Sequence, residues 1–142
     1  MNLTHVLDHL INISRLAGKE ILEVYNGTID VTLKGDLSPL TDADRKSNDI
    51  ITTKLLELYP DIPILSEEGK EINFEERKNW NLFWLIDPLD GTKEFIKRND
   101  EFTVNIALLE GTRPVFGVVY APILNILYWG LTNKVAYKID GN

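Results

Sequence analysis

Two carboxylates follow an apolar segment near the middle of the chain. Residues 82–86 (Leu-Phe-Trp-Leu-Ile) are apolar at every position, which predicts a central strand that is buried on both faces. Asp87 and Asp90 come next, and Pro88 favours an extended backbone at Asp87, so the strand is expected to continue up to that aspartate. Carboxylate oxygens are ligands that hard divalent cations prefer, so this strand end is a candidate metal site.

A helix is predicted to begin directly after these acids. Gly91 gives the turn conformational freedom, and residues 92–96 (Thr-Lys-Glu-Phe-Ile) have the pattern of a helix N-terminus. Free backbone N–H groups at such a start bind phosphate, so cations and an anion can be held side by side. A structural interpretation stays open at this point, in which Asp90 and Gly91 only form a turn and Asp90 only caps the helix.

Composition and charge restrict the class of protein. The chain of 142 residues has the length of one domain, and its 44% hydrophobic and 26% charged residues are ordinary for a globular protein. A net charge of −7 argues against a nucleic acid polymer as the main partner, although cations in a site would still admit an anionic substrate. The absence of cysteine indicates the cytoplasm, and we expect neither a signal peptide nor a transmembrane segment.

Helical spacing predicts two helices early in the chain. Apolar residues recur at helical intervals through residues 3–24, and Asn26 and Gly27 are typical of a helix end. A second helix is expected to begin at Thr41, with Asp44 completing a capping box. That box explains Asp44 structurally, and a catalytic role for Asp44 is the alternative.

Short strands and turns fill most of the remaining sequence. Residues 29–33 alternate apolar and polar side chains, which predicts a strand with one exposed face, and residues 62–65 form a short apolar strand. Of the two acids that follow this second strand, Glu67 is the preferred functional carboxylate and Glu68 is interpreted as a solvated turn residue. Later strands joined by turns are predicted at residues 102–108, 114–121, 126–129 and 135–138. The predicted fold class is α+β, with two N-terminal helices packed on one face of a largely antiparallel sheet.

Several segments, in the same order, resemble one family. Residues 41–44 (Thr-Asp-Ala-Asp), 66–68 (Ser-Glu-Glu) and 87–92 (Asp-Pro-Leu-Asp-Gly-Thr) resemble the signature motifs of the inositol monophosphatase superfamily. Its members are magnesium-dependent, lithium-sensitive phosphomonoesterases. Residues 34–39 and 102–110 most resemble its bacterial 3′(2′),5′-bisphosphate nucleotidase branch. The resemblance implies removal of the 3′-phosphate from 3′-phosphoadenosine 5′-phosphate to leave AMP, a reaction tied to sulfate assimilation.

The resemblance implies a set of metal ligands. Glu67 and Asp87 would bind a first magnesium ion through their carboxylates, and the backbone carbonyl of Leu89 would be a further ligand. Asp87 would bridge to a second magnesium ion that Asp90 also binds, and the family holds two or three such ions. Because Mg²⁺ keeps several waters, a few carboxylates are sufficient.

The resemblance also implies catalytic and substrate-binding residues. Asp44 and the Thr92 hydroxyl would orient and deprotonate the attacking water, and Gly91 and Thr92 would hold the phosphate with backbone N–H groups. Lys34 is predicted to help hold a doubly phosphorylated substrate, as are the basic residues 93, 97 and 98, for which a solvated helix tip is the alternative. The implied substrate-binding set is Glu67, Leu89, Asp90, Gly91 and Thr92.

One departure from the family concerns the end of the chain. The family continues into a second α/β part, in which a Trp-Asp motif supplies another metal-binding aspartate and much of the nucleotide pocket. This sequence ends at Asn142 and contains no Trp-Asp pair. We therefore expect residues 1–142 to be a truncated chain, the N-terminal metal- and phosphate-binding domain without the C-terminal part.

The main hypothesis has alternatives for the substrate, for the class of protein and for the location. Within the same chemistry, an inositol phosphate or a sugar bisphosphate could be the substrate. In a different class, the chain would be a catalytically silent half-domain that binds cations or a partner chain. An uncovered apolar sheet face is expected to favour self-association.

Peripheral attachment to the inner face of the membrane is the alternative to a purely cytoplasmic location.

The departure generates a prediction about the isolated chain. We expect the purified 142-residue chain to bind magnesium weakly and to release little or no phosphate, because one aspartate ligand of the family is missing. A phosphate-release assay with 3′-phosphoadenosine 5′-phosphate and excess magnesium measures this. Robust magnesium-dependent turnover would contradict the expectation.

Overall fold

The computed structural model describes residues 3–141, and the side chains from Thr4 onward. Within this range the chain forms four helices and eight strands. In chain order they are α1 (Leu3–Tyr25), β1 (Val31–Leu33), β2 (Pro39–Thr41), α2 (Asp42–Leu58), β3 (Ile64–Ser66), α3 (Phe74–Arg77), β4 (Leu82–Asp90), α4 (Thr92–Lys97), β5 (Thr103–Glu110), β6 (Arg113–Ala121), β7 (Ile126–Leu131) and β8 (Val135–Asp140).

The two long helices lie together on one face of the main sheet, as predicted. Leu10, Ile13, Ala17 and Ile21 follow the helical period on α1 and are almost completely buried. α1 contacts α2, β5 and β6, and α2 contacts β4. Gly18 allows the close approach of α1 to the sheet, since an added Cβ would lie 2.5 Å from the Tyr120 ring. The α+β class is therefore confirmed, and the two long helices pack on one face of the sheet, as the sequence predicts.

The main sheet has six strands in sequence order, β3-β4-β5-β6-β7-β8. β3 runs parallel to β4, and every later neighbouring pair is antiparallel, which confirms the predicted meander. Ile86, Ile106 and Val118 are paired across three adjacent strands and are buried beneath the helices. Because β3 and β4 are parallel, their carboxyl ends lie at the same edge of the sheet.

The prediction that residues 82–86 are buried on both faces is wrong. Trp84 and Ile86 are buried, but Leu85 between them is 40% exposed. Val119 and Tyr128, which pair with each other and lie on the same face of the sheet as Leu85, are also exposed. The cause is the layer structure: the helices cover one face of the sheet, so an apolar residue is buried only when it points toward them. We call the other side the open face.

The predicted strand over residues 29–33 is also only partly correct. β1 forms, but it pairs with β2 in a separate two-stranded ribbon. Val31 and Leu33 are 45% and 67% exposed, so β1 has no buried face. The ribbon lies outside the main sheet, and alternation in the sequence cannot show which strand a segment pairs with.

No helix within residues 3–141 is long and apolar enough to cross a membrane.

The open face generates a prediction about association. We expect the purified chain to associate at high concentration, because burial of Leu85, Val119 and Tyr128 removes apolar surface from water. Val119→Lys should weaken association by about tenfold or more, since it places a charge in that contact. Sedimentation equilibrium measures the effect.

The matched control is Leu56→Lys, which adds the same charge at an exposed leucine on α2, in the helix layer. Equal weakening by both variants would show that net charge, and not the open face, governs association.

Candidate metal and phosphate site

A β-bulge shapes the end of β4. Asp87 pairs with Asn105 and Asp90 pairs with Thr103, so the two residues between the aspartates face a single residue of β5. Asp87 is half-buried and Asp90 is exposed. The Asn105 side-chain amide donates a hydrogen bond to Asp90 at 3.2 Å. The bulge therefore turns both acids toward the edge of the sheet, where β3 also ends.

The predicted metal and phosphate residues share one cavity. Its volume is about 260 Å³. The residues that line it are Lys34, Ser38, Pro39, Glu67, Asp87, Leu89, Asp90, Gly91, Thr92, Lys93 and Glu94. The structure thus brings together residues from the β1–β2 turn, the end of β3, the end of β4 and the start of α4.

The turn between β4 and α4 requires glycine. Gly91 has φ of +91°, in the left-handed region, and an added Cβ would lie 2.7 Å from the Glu101 carbonyl oxygen. The next residue, Thr92, begins α4, and its hydroxyl lies 2.9 Å from Asp44 Oδ1 and 3.3 Å from the Leu89 carbonyl oxygen. Phosphate binding by the backbone N–H groups of Gly91 and Thr92 stays a prediction.

Asp44 does not line the cavity, and it reaches the site through Thr92. Its carboxylate is fully buried and accepts hydrogen bonds from the Thr41 amide at 2.8 Å and the Thr41 hydroxyl at 2.5 Å. The Thr92 hydroxyl donates to its other oxygen. The two interpretations of Asp44 are therefore compatible, because it accepts from the Thr41 amide as a capping residue of α2 and also accepts from the hydroxyl of a cavity residue. Its catalytic role stays a prediction.

The acids at the strand ends repel one another. Burial, together with the negative charges of Glu67 and Asp90, raises the pKa of Asp87 from 3.8 to about 7, and a hydrogen bond with Glu67 contributes in the same direction. The amide of Leu89 opposes the shift. A cation bound among these oxygens would offset their mutual repulsion.

Lys34 partly compensates this charge. It forms an ion pair with Glu68, and its Nζ lies 3.7 Å from Glu67 Oε1. Burial lowers the pKa of Lys34, but the hydrogen bond from Lys34 to Glu68 and the negative charges of Glu68, Glu67 and Asp44 together outweigh burial, and the net shift is upward. The role of Lys34 as a substrate contact stays a prediction, since the structure shows it paired with acids.

The interpretation of Glu68 as a solvated turn residue is wrong. The Glu68 side chain is 10% exposed, whereas that of Glu67 is 57% exposed. Burial raises the pKa of Glu68 even though Lys34 acts to lower it. The turn after β3 points Glu68 inward against Lys34, and nearness in sequence to a buried strand does not determine which of two adjacent side chains is buried.

The basic residues of α4 and its C-terminal end have different surroundings. Lys93 lines the cavity and Lys97 is exposed. Arg98 donates a hydrogen bond to the Gly27 carbonyl at 2.7 Å and also bonds the Tyr25 carbonyl, so it holds the end of α1. Neither prediction for Arg98, a solvated tip or a substrate contact, describes this anchoring role.

The donor set fits magnesium in chemistry, although no complete cage is formed. Within residues 3–141, no three His, Cys, Asp or Glu side chains converge in a geometry that could hold a metal ion by themselves. The cavity instead offers carboxylates on Glu67, Asp87 and Asp90 and the carbonyl of Leu89. These are hard oxygen donors, and an ion that keeps several waters needs few protein ligands. The negative charges of Glu67 and Asp90, which help to raise the pKa of Asp87, would also attract a cation to these oxygens.

Sequence analysis missed two polar residues at the site. Asn105 contacts Asp90, and the buried hydroxyl of Ser47 donates to the Pro88 carbonyl at 2.6 Å. A signal was present for both: Asn105 interrupts an apolar strand, and Ser47 lies one helical turn after Asp44.

Comparison with known proteins gives a consistent result. The sequence model of the inositol monophosphatase family matches residues 2–140. A 3′(2′),5′-bisphosphate nucleotidase CysQ from Shigella flexneri is 52% identical over 131 residues, which are 91% of this chain and 53% of the relative.

Two solved structures agree with the fold. CysQ from Bacteroides thetaiotaomicron, a bacterial member of the inositol monophosphatase family, has a TM-score of 0.80 and 43% identity, and the match covers 99% of this chain and 51% of that one. The extragenic suppressor protein suhB from Bartonella henselae has a TM-score of 0.85 and 31% identity, with 97% and 53% covered. The chain spans about half the length of the proteins it matches.

The repulsion at Asp87 generates a prediction about stability. Between pH 4 and about 7, the folded state keeps a proton on Asp87 that the unfolded chain releases, so the free energy of unfolding should fall as pH rises through this window. In Asp87→Asn this fall should be smaller, and the variant should be more stable than the wild type at pH 8. Thermal melts of metal-free protein from pH 4 to 8 measure the difference. Parallel pH profiles for the two proteins would contradict the prediction.

Proposed function

The chain belongs to the inositol monophosphatase family, and on that premise we propose that it forms the metal- and phosphate-binding part of a magnesium-dependent phosphomonoesterase. The proposed reaction converts 3′-phosphoadenosine 5′-phosphate and water into AMP and inorganic phosphate. The observation that carries the proposal is the single cavity shared by Glu67, Asp87, Asp90 and Thr92. The choice of substrate rests on the activity for which the relatives are named, such as that of the Shigella flexneri protein.

Four residues would hold the magnesium ions. Glu67, Asp87 and Asp90 would bind through their carboxylates, and Leu89 through its backbone carbonyl. When bound, the ions would supply positive charge to the phosphate and make a water molecule more acidic. Ionised Asp87 is the form that binds a cation, so its raised pKa implies that metal binding releases a proton near neutral pH.

Asp44 and Thr92 would prepare the water for attack. The Thr92 hydroxyl donates to the buried Asp44 carboxylate at 2.9 Å, which leaves the lone pairs of the Thr92 oxygen free to accept a hydrogen bond from water in the cavity. The water would pass a proton to Thr92 as Thr92 passes its own to Asp44. The water oxygen then forms the new bond to phosphorus, the bond from phosphorus to the 3′-oxygen breaks, and that oxygen takes up a proton from solvent water. Asp44 afterwards returns its proton to solvent through Thr92.

Basic side chains would hold the substrate. Lys93 and Lys34 both line the cavity, and Lys34 is already paired with Glu68. Lys34 would therefore have to share its charge between Glu68 and the substrate. Inhibition by lithium, a cytoplasmic location and a role in sulfur metabolism are further parts of the proposal that follow from the family alone.

A chimaera tests this function. Residues 1–142 would be joined to the part of the Shigella flexneri relative that lies outside the match. We expect magnesium-dependent formation of AMP from 3′-phosphoadenosine 5′-phosphate, and Asp87→Asn should lower kcat/KM by about 100-fold or more because a metal ligand is lost. Chromatographic quantification of AMP measures both.

The control is Asp49→Asn, the same change at an exposed aspartate on α2, which should leave kcat/KM unchanged. Inositol 1-phosphate supplied in parallel should be the poorer substrate. Equal activity of the Asp87 variant and the control would refute the site, and faster hydrolysis of inositol 1-phosphate would refute the substrate.

A further inference from the structure

One side of α2 contacts three separate segments of the site. Asp44, Ser47 and Asn48 are spaced three and four residues apart, so they share a side of the helix. Asp44 accepts from Thr92 at the start of α4, Ser47 donates to the Pro88 carbonyl in β4, and Asn48 accepts from Ser66 at the end of β3. Neither Ser47 nor Asn48 lines the cavity.

Ser47 fixes a peptide inside the β4 bulge. Its hydroxyl is completely buried and lies 2.6 Å from the Pro88 carbonyl oxygen. The bulge interrupts the regular pairing of β4 with β5 at Pro88 and Leu89, so a side chain from another layer is needed to hold the backbone there. The N–H of the same peptide, on Leu89, interacts with the Asp87 carboxylate. The orientation that Ser47 gives to the Pro88–Leu89 peptide therefore affects the positions of Asp87 and Leu89.

Asn48 fixes the turn that carries Glu67. The Ser66 hydroxyl donates to Asn48 Oδ1 at 2.6 Å and accepts from the Glu68 amide at 3.4 Å. The Glu67 amide donates to the Ile86 carbonyl at 3.1 Å, which ties the turn to β4 as well. Glu67 is thus held between α2 and β4, although its own side chain is exposed.

We propose that Ser47 and Asn48 are positioning residues that set the separation between Glu67 on one strand and Asp87 and Leu89 on the next, so that divalent cation binding depends on α2. The inference rests on the proposed function, because it assumes that these three residues bind the same cation. Hydrogen bonds to metal ligands and their supporting backbone tune metal affinity even when the donors never touch the ion.

Binding of Mn²⁺ to the 142-residue chain tests the inference, with the free ion quantified by electron paramagnetic resonance. We expect Ser47→Ala and Asn48→Ala each to raise the Kd for Mn²⁺ by about tenfold. Thr52→Ala is the matched control, because Thr52 on α2 bonds only carbonyls of its own helix and should leave the Kd unchanged. Measurements are made below the melting transition of every variant, so that a loss of stability alone does not alter the Kd.

The outcomes separate the inference from the function on which it rests. If Asp87→Asn binds Mn²⁺ as tightly as the wild type, the proposed metal site is wrong and the inference falls with it. If Asp87→Asn abolishes binding but Ser47→Ala and Asn48→Ala match the Thr52 control, only the inference is refuted. Should Ser47→Ala fail to fold, the half-buried Asn48 carries the test, and Ser47→Thr, which keeps the hydroxyl, should restore wild-type affinity.

Discussion

Repulsion among Glu67, Asp87 and Asp90 is the interaction on which the site depends. Burial and two neighbouring negative charges hold the pKa of Asp87 near neutrality, although Lys34 stands close by and pairs with the adjacent acids. A fold selected for stability alone would separate such charges or replace one of them. Their convergence at one strand end supports the proposal that a cation binds there, because a bound cation would offset the repulsion.

The architecture makes this repulsion unavoidable. β3 and β4 are parallel, so the acid that follows β3 and the acids at the end of β4 lie at the same edge of the sheet. The bulge between Asp87 and Asp90 turns the chain into α4 and brings Thr92 back to Asp44 on α2. The site is therefore assembled from segments that are distant in sequence, and α2 is the common support against which they are held.

Much of this could be predicted from sequence because the signals were local. The apolar period of α1, the turns of the meander and the motif around Asp87 each report on a few consecutive residues, and the structure agrees with them. The resemblance to a family added what local patterns cannot give, namely that Glu67 and Asp44 belong with Asp87.

The failures have one cause, which is that burial depends on what lies opposite a residue. Leu85 looks like a core residue in sequence but points away from the helices, and the alternating residues of β1 meet no layer at all. Glu68 is buried because Lys34, 34 residues earlier, reaches it. Ser47 becomes a site residue only because a bulge presents the Pro88 carbonyl to it. No periodicity or motif in the sequence indicates any of these contacts.

Paramagnetic broadening in the ¹H–¹⁵N spectrum of the 142-residue chain tests most directly whether one cation joins these segments. With trace Mn²⁺ added, we expect the amide signals of Glu67, Asp87, Asp90 and Thr92 to broaden together at the same ion concentration, while those of residues 132–134, in the turn between β7 and β8 at the far side of the sheet, broaden least. Broadening confined to one of these segments, or spread evenly over the acidic surface, would contradict it.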